Sequence, residues 1–131
     1  MFSCTIEVRF SDLDSMGHVN NANFLTYLEI TRTKFIGHLL DKKVLEPTDF
    51  SFILAKAEIN FKAPIMFQNV NCDIWVSTIG KTSFEFTYKL YNDKTIFANA
   101  TTIQVFYNYQ TNSKELIPEK FKKLLEDHLK E

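Results

Sequence analysis

The chain has 131 residues, which is enough for one compact core and too short for two ordinary domains, so a single domain over 1–131 is expected. Hydrophobic residues make up 45% of it, which excludes a disordered composition, and a formal net charge of -1 gives no electrostatic reason to expect nucleic acid or an anionic membrane as partner. No apolar run approaches about 18 residues and no signal peptide is recognisable. We therefore expect a cytoplasmic protein without membrane insertion.

The first half of the chain predicts a strand, a polar segment and a long helix. Residues 4–11 alternate apolar and polar side chains, the period of a strand with one buried face. The polar segment Asp12–Phe24 follows directly. From Ala22 to Leu40 apolar residues occupy most of the circumference of a helix, which is typical of a buried one. Residues 41–51, with Pro47 and Asp49, are interpreted as a loop.

The second half predicts four strands and a short helix. Strands are predicted at Phe52–Ala63, Val70–Ile79, Ser83–Tyr91 and Ile96–Tyr109, with turn residues between the last three that favour antiparallel hairpins. In the first of them, Ala55 and Ala57 are expected to face the central helix. Pro118 can open a final helix. The sum is an α+β fold in which a five-stranded antiparallel sheet curls around a long central helix, with a short C-terminal helix.

The polar segment contains the residues best suited to chemistry. A carboxylate just before a helix, such as Asp14, can act as a general base or attack an acyl carbonyl, while the first helical N–H groups hold the oxygen that becomes negative. The alternative is that Asp14 only caps a turn. Asn20 and Asn21 are favoured helix caps, and Gly17 is expected to adopt a positive φ and leave room for a substrate.

These residues also carry a family resemblance. The string RFSDLDSMGHVNNANFLTYLEITRTKF resembles the active loop and central helix of the hotdog-fold thioesterases, in particular 4-hydroxybenzoyl-CoA thioesterase-like and fatty acyl-ACP thioesterases. The later AEINFKAPIMFQNVNCDIWVSTIGKTSFEFTYKLYN is similar to their following strands. The resemblance implies a hotdog fold and hydrolysis of an acyl-CoA or acyl-ACP thioester. It also implies a homodimer or homotetramer with active sites between subunits.

The resemblance assigns roles to individual positions. It makes Asp14 the catalytic aspartate, gives His18 a participating role, and makes the backbone N–H of Asn21 a candidate oxyanion donor. Asp12 is expected to shape the loop. The chain departs from the acyl-ACP enzymes at Met16, where they have an asparagine. Further substrate contacts are expected along the loop and at one turn whose lysine suits the phosphates of coenzyme A: Gly17, Val19, Asn20, Lys81, Thr82 and Ser83.

The sequence also bears on metal binding, on disulfide formation and on alternative functions. No metal site and no cofactor are predicted, because His38 and His128 have no ligand partner at useful spacing. Cys4 and Cys72 occupy apolar strand positions, so no disulfide is expected. A non-catalytic module that binds acyl thioesters stays open as an alternative. A hydratase on the same fold is disfavoured, because the central helix has no acid or histidine before Glu29.

Overall fold

The computed structural model describes residues 1–42, 46 and 51–130, and it contains the predicted antiparallel sheet and two helices. Most of the predicted loop 41–51 lies outside the described residues. The strands run as β1 Phe2–Ile6, β2 Phe52–Phe61, β3 Val70–Ile79, β4 Ser83–Tyr91, β5 Ile96–Asn108 and the two-residue β6 Ser113–Lys114. The helices are α1 Asn21–Asp41 and α2 Glu119–Asp127. The bounds of β3 and β4 are those predicted from the sequence.

The sheet has the order β1-β3-β4-β5-β2, and every pair in it is antiparallel. Strands β3, β4 and β5 form the predicted consecutive hairpins, and β6 pairs with the end of β5. Because β2 comes before β3 in the chain but pairs only with β5, it lies at one edge of the sheet. Strand β1 lies at the other edge.

Helix α1 packs against the inner face of the sheet. Its buried side chains recur every three or four residues, as expected for one face of a helix: Phe24, Tyr27, Leu28, Thr31, Phe35 and Leu39. They meet the alternating inner residues of β3 and β4, such as Ile74 and Phe86, which are at most 2% exposed. The prediction of a helix buried around most of its circumference is wrong, because Leu25 is exposed and Ile30 and Ile36 are half-buried.

The predicted first strand is too long. Strand β1 ends at Ile6, which pairs with Val70, the first residue of β3. Beyond that pair β1 has no partner strand, and the chain turns through a 3-10 helix at Phe10–Asp12. Phe10, expected on the buried face, is 80% exposed, and its ring meets that of Phe67 edge to face at 6.3 Å.

The alternation of β2 is interrupted by a β-bulge between Leu54 and Lys56. The extra residue exchanges the faces of the residues before it, so Leu54 pairs with Gln104 on the inner face although the sequence placed it on the outer one. Ala55 and Ala57 are exposed, which contradicts the prediction that they approach the central helix. Strand β2 is an edge strand and most of its residues are exposed, although Phe61 at its end contacts Phe24 of α1.

The last elements close the opposite side of the core. Pro118 caps α2 rather than opening its first turn, and the helix buries Phe121, Leu124 and Leu125. The following residues 128–130 pair with β3, where the N–H of Val76 donates to the carbonyl of His128 and the N–H of Lys130 donates to the carbonyl of Val76. Leu129, which lies beyond the end of α2, is 44% exposed. No helix among the described residues is both long and apolar enough to cross a membrane.

Candidate active site

The predicted loop and the start of α1 meet at a cleft of ≈ 320 Å³. Its polar lining consists of Asp14, His18, Asn21 and Lys62. Its apolar lining comes from α1 and from the chain that leaves β2, where Phe24 and Phe61 pack edge to face at 4.9 Å between ring centroids. The remaining lining residues are Val19, Ala63 and Pro64. The three predicted catalytic residues are therefore brought together.

Asp14 both holds the loop and faces the cleft. Its Oδ1 accepts hydrogen bonds from the backbone N–H of Met16, at 2.9 Å, and of His18, at 3.4 Å. Its own N–H donates to the carbonyl of His18, at 2.8 Å, so the loop is tight. Within the described part of the chain, Oδ2 accepts no hydrogen bond. The turn-capping interpretation of Asp14 is thus correct for one oxygen, and the other remains open to a water molecule or a thioester.

Gly17 makes this turn possible. Its φ is +78°, the left-handed region that side chains with a Cβ rarely adopt, as the sequence analysis expected. Its N–H donates to the carbonyl of Asp14 at 3.0 Å. Neither Gly17 nor Asn20 lines the cleft, whereas Val19 does, with its backbone N–H donating to the carbonyl of Ile65 at 2.8 Å.

The first turn of α1 leaves one N–H group available. Asn20 is the helix cap, and its side chain accepts from the N–H of Ala22 at 2.9 Å. Its carbonyl accepts from the N–H of Asn23 at 2.9 Å. As the first helical residue, Asn21 has an N–H for which the helix supplies no acceptor. This N–H, at the positive end of a 21-residue helix, can bind an oxygen that carries negative charge.

Lys62 was missed by the sequence analysis as a site residue. The alternation of β2 placed it on a solvated outer face with Lys56. The strand ends at Phe61, however, and the backbone N–H groups of Lys62 and Ala63 both turn to the carbonyl of Phe97. The nearby Pro64 is the available signal, because a proline ends a strand and the alternation of faces with it.

The predicted turn Lys81–Ser83 lies apart from the cleft. Ser83 and Ile53 both pair with Val105, at the end of the sheet opposite to Phe61. Phe61 lies eight residue steps along the strand from Ile53, which corresponds to roughly 26 Å. Lys81 lines a different cavity, of ≈ 160 Å³, beside α2. The turn therefore does not join Asp14 within one chain.

Two further predictions concern a metal site and a disulfide bond. Among the described residues, no group of three or more His, Cys, Asp and Glu side chains is placed to hold a metal ion. Cys4 and Cys72 are directly opposite each other on β1 and β3, and both thiols are free. Burial raises the pKa of the Cys72 thiol to about 12, so it is neutral at physiological pH.

Comparisons with known proteins identify the family of this chain. The model of the thioesterase-like superfamily matches residues 8–125. YneP of Bacillus subtilis (strain 168), which is named as a candidate acyl-CoA thioesterase, is 30% identical over 95 residues. That match covers 66% of this chain and 64% of YneP, so it spans less than two thirds of the length of that protein.

Solved structures are similar over nearly the whole chain. A predicted thioesterase from Bacillus stearothermophilus has a TM-score of 0.87 at 21% identity, with 99% of this chain and 97% of that one covered. A thioesterase from Thermus thermophilus, complexed with coenzyme A and Zn, has a TM-score of 0.81 at 22% identity, with 95% and 91% covered. These similarities confirm the predicted hotdog fold, and the match over residues 8–125 shows that the chain belongs to the thioesterase-like superfamily.

Proposed function

We propose that this protein hydrolyses an acyl-CoA thioester, or the equivalent thioester of an acyl carrier protein, to the free acid and the thiol. The observation that supports this most directly is that one cleft is lined by Asp14, whose Oδ2 accepts no hydrogen bond among the described residues, and by Asn21, whose N–H has no acceptor within the helix. The coenzyme A in the related Thermus thermophilus structure supports the substrate class. The enzyme acts as a single hotdog domain, and its cytoplasmic location stays a prediction.

The proposed chemistry needs only groups of the chain and water. The thioester carbonyl oxygen accepts a hydrogen bond from Asn21 N–H, which stabilises the negative charge that develops there. Asp14 Oδ2 either removes a proton from the attacking water or attacks the carbonyl carbon itself. In the first case the water oxygen bonds to the carbonyl carbon, the C–S bond breaks, and the thiolate takes up the proton that Asp14 removed. In the second case the C–S bond breaks as Asp14 forms a mixed anhydride with the acyl group, the thiolate takes a proton from water or His18, and a second water then hydrolyses the anhydride to the free acid and the Asp14 carboxylate. His18, on the same cleft, assists by donating a hydrogen bond or carrying that proton.

The decisive experiment replaces Asp14 by asparagine. Asn keeps an Oδ1 acceptor for the N–H groups of Met16 and His18, so the loop is retained while the basic oxygen is lost. We expect kcat for thiol release from acyl-CoA to fall by roughly 10²- to 10⁴-fold. Asp41→Asn is the matched control, since Asp41 is exposed at the far end of α1, roughly 30 Å away, and should not change kcat. Near-full turnover by Asp14→Asn would exclude the proposed role.

A non-catalytic binding module would behave differently. Its wild type would bind a non-hydrolysable thioether analogue of acyl-CoA in calorimetry, yet release no thiol from a panel of short, long and aromatic acyl-CoA thioesters. Turnover of any member by the wild type excludes this alternative. His18→Ala, assayed on the same panel, then separates assistance to catalysis from a structural role, because only the former lowers kcat without lowering stability.

We further propose that the active unit is a dimer joined through the β2 edges. On the inner face of β2, Leu54, Ala57 and Phe61 are exposed apolar residues next to an edge without a partner strand among the described residues. Such an edge is a ready surface for pairing with a second copy. A two-fold axis at the middle of β2 would bring Ile53 of the partner subunit beside Asn60 and Phe61.

This dimer gives a role to the turn Lys81–Ser83. The turn lies two strands inward from Ile53, so in the partner subunit it would approach the cleft to within roughly 15 Å, which a coenzyme A molecule can span. We expect Lys81→Glu to raise KM for acyl-CoA and to leave KM for an acyl N-acetylcysteamine thioester, which lacks the phosphates, unchanged. An equal change for both substrates would contradict phosphate binding by Lys81.

The dimer itself is tested by a pair of neighbouring variants. Ala57→Glu places a charge on the uncovered inner face of β2, and Lys56→Glu places one on the outer face. Sedimentation should show a monomer with low activity for Ala57→Glu and a dimer for Lys56→Glu. A wild-type monomer with full activity would contradict the arrangement.

A further inference from the structure

Asp12 is a buried carboxylate to which the proposed reaction assigns no step. It is 1% exposed, and both of its oxygens are occupied. Oδ1 accepts from Arg9 Nε at 3.0 Å and from Arg9 Nη2 at 2.8 Å, while Oδ2 accepts from the backbone N–H of Arg9 at 3.0 Å and from the hydroxyl of Tyr27 at 2.7 Å. The carboxylate thus connects the segment before the loop to the second turn of α1.

The main chain of Asp12 makes a second connection. Its carbonyl accepts from the N–H of Asn20 at 2.9 Å and from the side-chain amide of Asn23 at 3.1 Å. Asn20 is the cap of α1, so this carbonyl fixes the point where the helix begins. Asp14 lies two residues after Asp12 and the N–H of Asn21 one residue after Asn20. One candidate catalytic group is therefore close in the chain to Asp12 itself, and the other directly follows a residue that is hydrogen-bonded to Asp12.

We propose that Asp12 is a positioning residue, which through Tyr27 and Asn20 holds the Asp14 loop and the first N–H of α1 in the relative geometry that thioester hydrolysis requires. This inference rests on the proposed function. Asp12 does not line the cleft, so it acts on the substrate only through the groups that it holds.

The charge of Asp12 is essential to this role. Burial alone would raise the pKa of its carboxyl group, but the hydrogen bonds from Arg9 and Tyr27 and the charge of Arg9 outweigh burial and lower the pKa below 3.8. Asp12 is therefore ionised at neutral pH and accepts from all four donors. An asparagine there has a single acceptor oxygen, so it cannot satisfy both Arg9 and Tyr27.

The test compares Asp12 with a matched buried carboxylate elsewhere. Asp73, on the outer face of the sheet, is 7% exposed and likewise accepts from a tyrosine hydroxyl, that of Tyr91, at 2.9 Å. We expect Asp12→Asn and Tyr27→Phe to lower kcat by on the order of 10- to 100-fold with little change in KM, because small misplacements of catalytic groups are costly. Asp73→Asn and Tyr91→Phe should lower stability but not kcat per folded molecule.

Two outcomes would overturn the inference. One is that the Asp12 and Tyr27 variants, corrected for the folded fraction, keep the kcat of their Asp73 and Tyr91 counterparts. If Asp12→Asn does not fold, Tyr27→Phe decides, since it removes only one of the four hydrogen bonds.

The second outcome comes from a measurement without substrate, which also separates this inference from the proposed function. The amide ¹⁵N–¹H resonances of Met16 and His18 report the hydrogen bonds to Asp14. They should shift in Tyr27→Phe and stay unchanged in Tyr91→Phe. If the wild type hydrolyses no thioester but these shifts occur, the proposed function fails while the positioning of the loop stands. Unchanged resonances would refute the positioning whatever the activity.

Discussion

Replacing Gly17 and Gly37 by alanine should change the free energy of unfolding in opposite directions. An added Cβ would meet nothing within 4 Å at either position, so sterics do not distinguish them. Gly17 has a φ of +78°, where an L-residue costs roughly 1 to 2 kcal/mol, so Gly17→Ala should destabilise the protein by that amount. Gly37 lies within α1, where alanine is favoured over glycine by about 1 kcal/mol.

The free energies of unfolding of the two variants should therefore differ by roughly 2 to 3 kcal/mol. For a domain of this size, each kcal/mol shifts Tm by about 3 to 5 °C. Urea denaturation of both variants and the wild type measures the difference. Gly17→Asn is an additional control, because asparagine tolerates the left-handed region better than alanine and should be less destabilising. A Gly17→Ala protein as stable as Gly37→Ala would refute the assigned backbone conformation of the loop.

Three further predictions concern other parts of the chain. Asn20→Ala should lower stability by about 1 kcal/mol in urea denaturation, because the N–H of Ala22 loses its cap, whereas Asn20→Asp should not. Burial and, to a smaller extent, the positive chain terminus lower the pKa of His128 below 6.5, so its neutral form is favoured on folding. The free energy of unfolding of the wild type should then decline as pH falls below about 6.5. Between about pH 7.5 and pH 5.5 that of His128→Gln should decline less, and equal declines in the two proteins would contradict the lowered pKa. Ellman's reagent should titrate Cys4 in the folded protein and Cys72 only after denaturation, since Cys72 is 0% exposed; two reactive thiols in the native state would contradict its burial.

The sequence was sufficient to predict the bounds of a strand where its alternating pattern ran alongside a neighbouring strand with which it pairs. The inner residues of β3 and β4 alternate and both strands have neighbours along their whole length, so their bounds were predicted correctly. Strand β1 shows the limit of that reasoning. Its alternation continues to Phe10, but β3 starts at Val70 and leaves nothing to pair with after Ile6. Periodicity describes one strand, whereas the end of a strand depends on its neighbour.

Departures from regular geometry were not predictable from the same pattern. The bulge at Leu54/Lys56 inserts one residue and reverses the faces of the part of β2 that precedes it, without any mark in the alternation. Thr102 and Gln104 are polar residues of β5, yet both are buried and hydrogen-bonded to each other on the inner face. Their partners, the hydroxyl of Tyr88 and the carbonyl of Phe84, come from the next strand and are visible only in the fold.

The candidate site was predicted in part because its main residues are consecutive. Asp14, His18 and Asn21 lie within eight residues, so local chemistry and the family resemblance were enough to single them out. Lys62 and Phe61 come from a distant segment, and only the closure of the sheet around α1 brings them to the cleft. The division of the Asp14 carboxylate into one bound and one open oxygen likewise depends on loop geometry that composition does not encode.

The two outer strands of the sheet differ in how well the chain covers them, and the difference limits polymerisation. Strand β1 has five residues, Lys34 donates to the carbonyl of Thr5, and residues 128–130 occupy the ladder positions of Val76 beyond it. Fibre growth requires two open edges on every unit, and among the described residues the edge of β1 is the shorter and the more occupied of the two. Pairing of two copies through the edge of β2 is therefore favoured over growth into a fibre. Conditions that detach residues 128–130 from Val76 would lengthen the second edge, and aggregation should begin there.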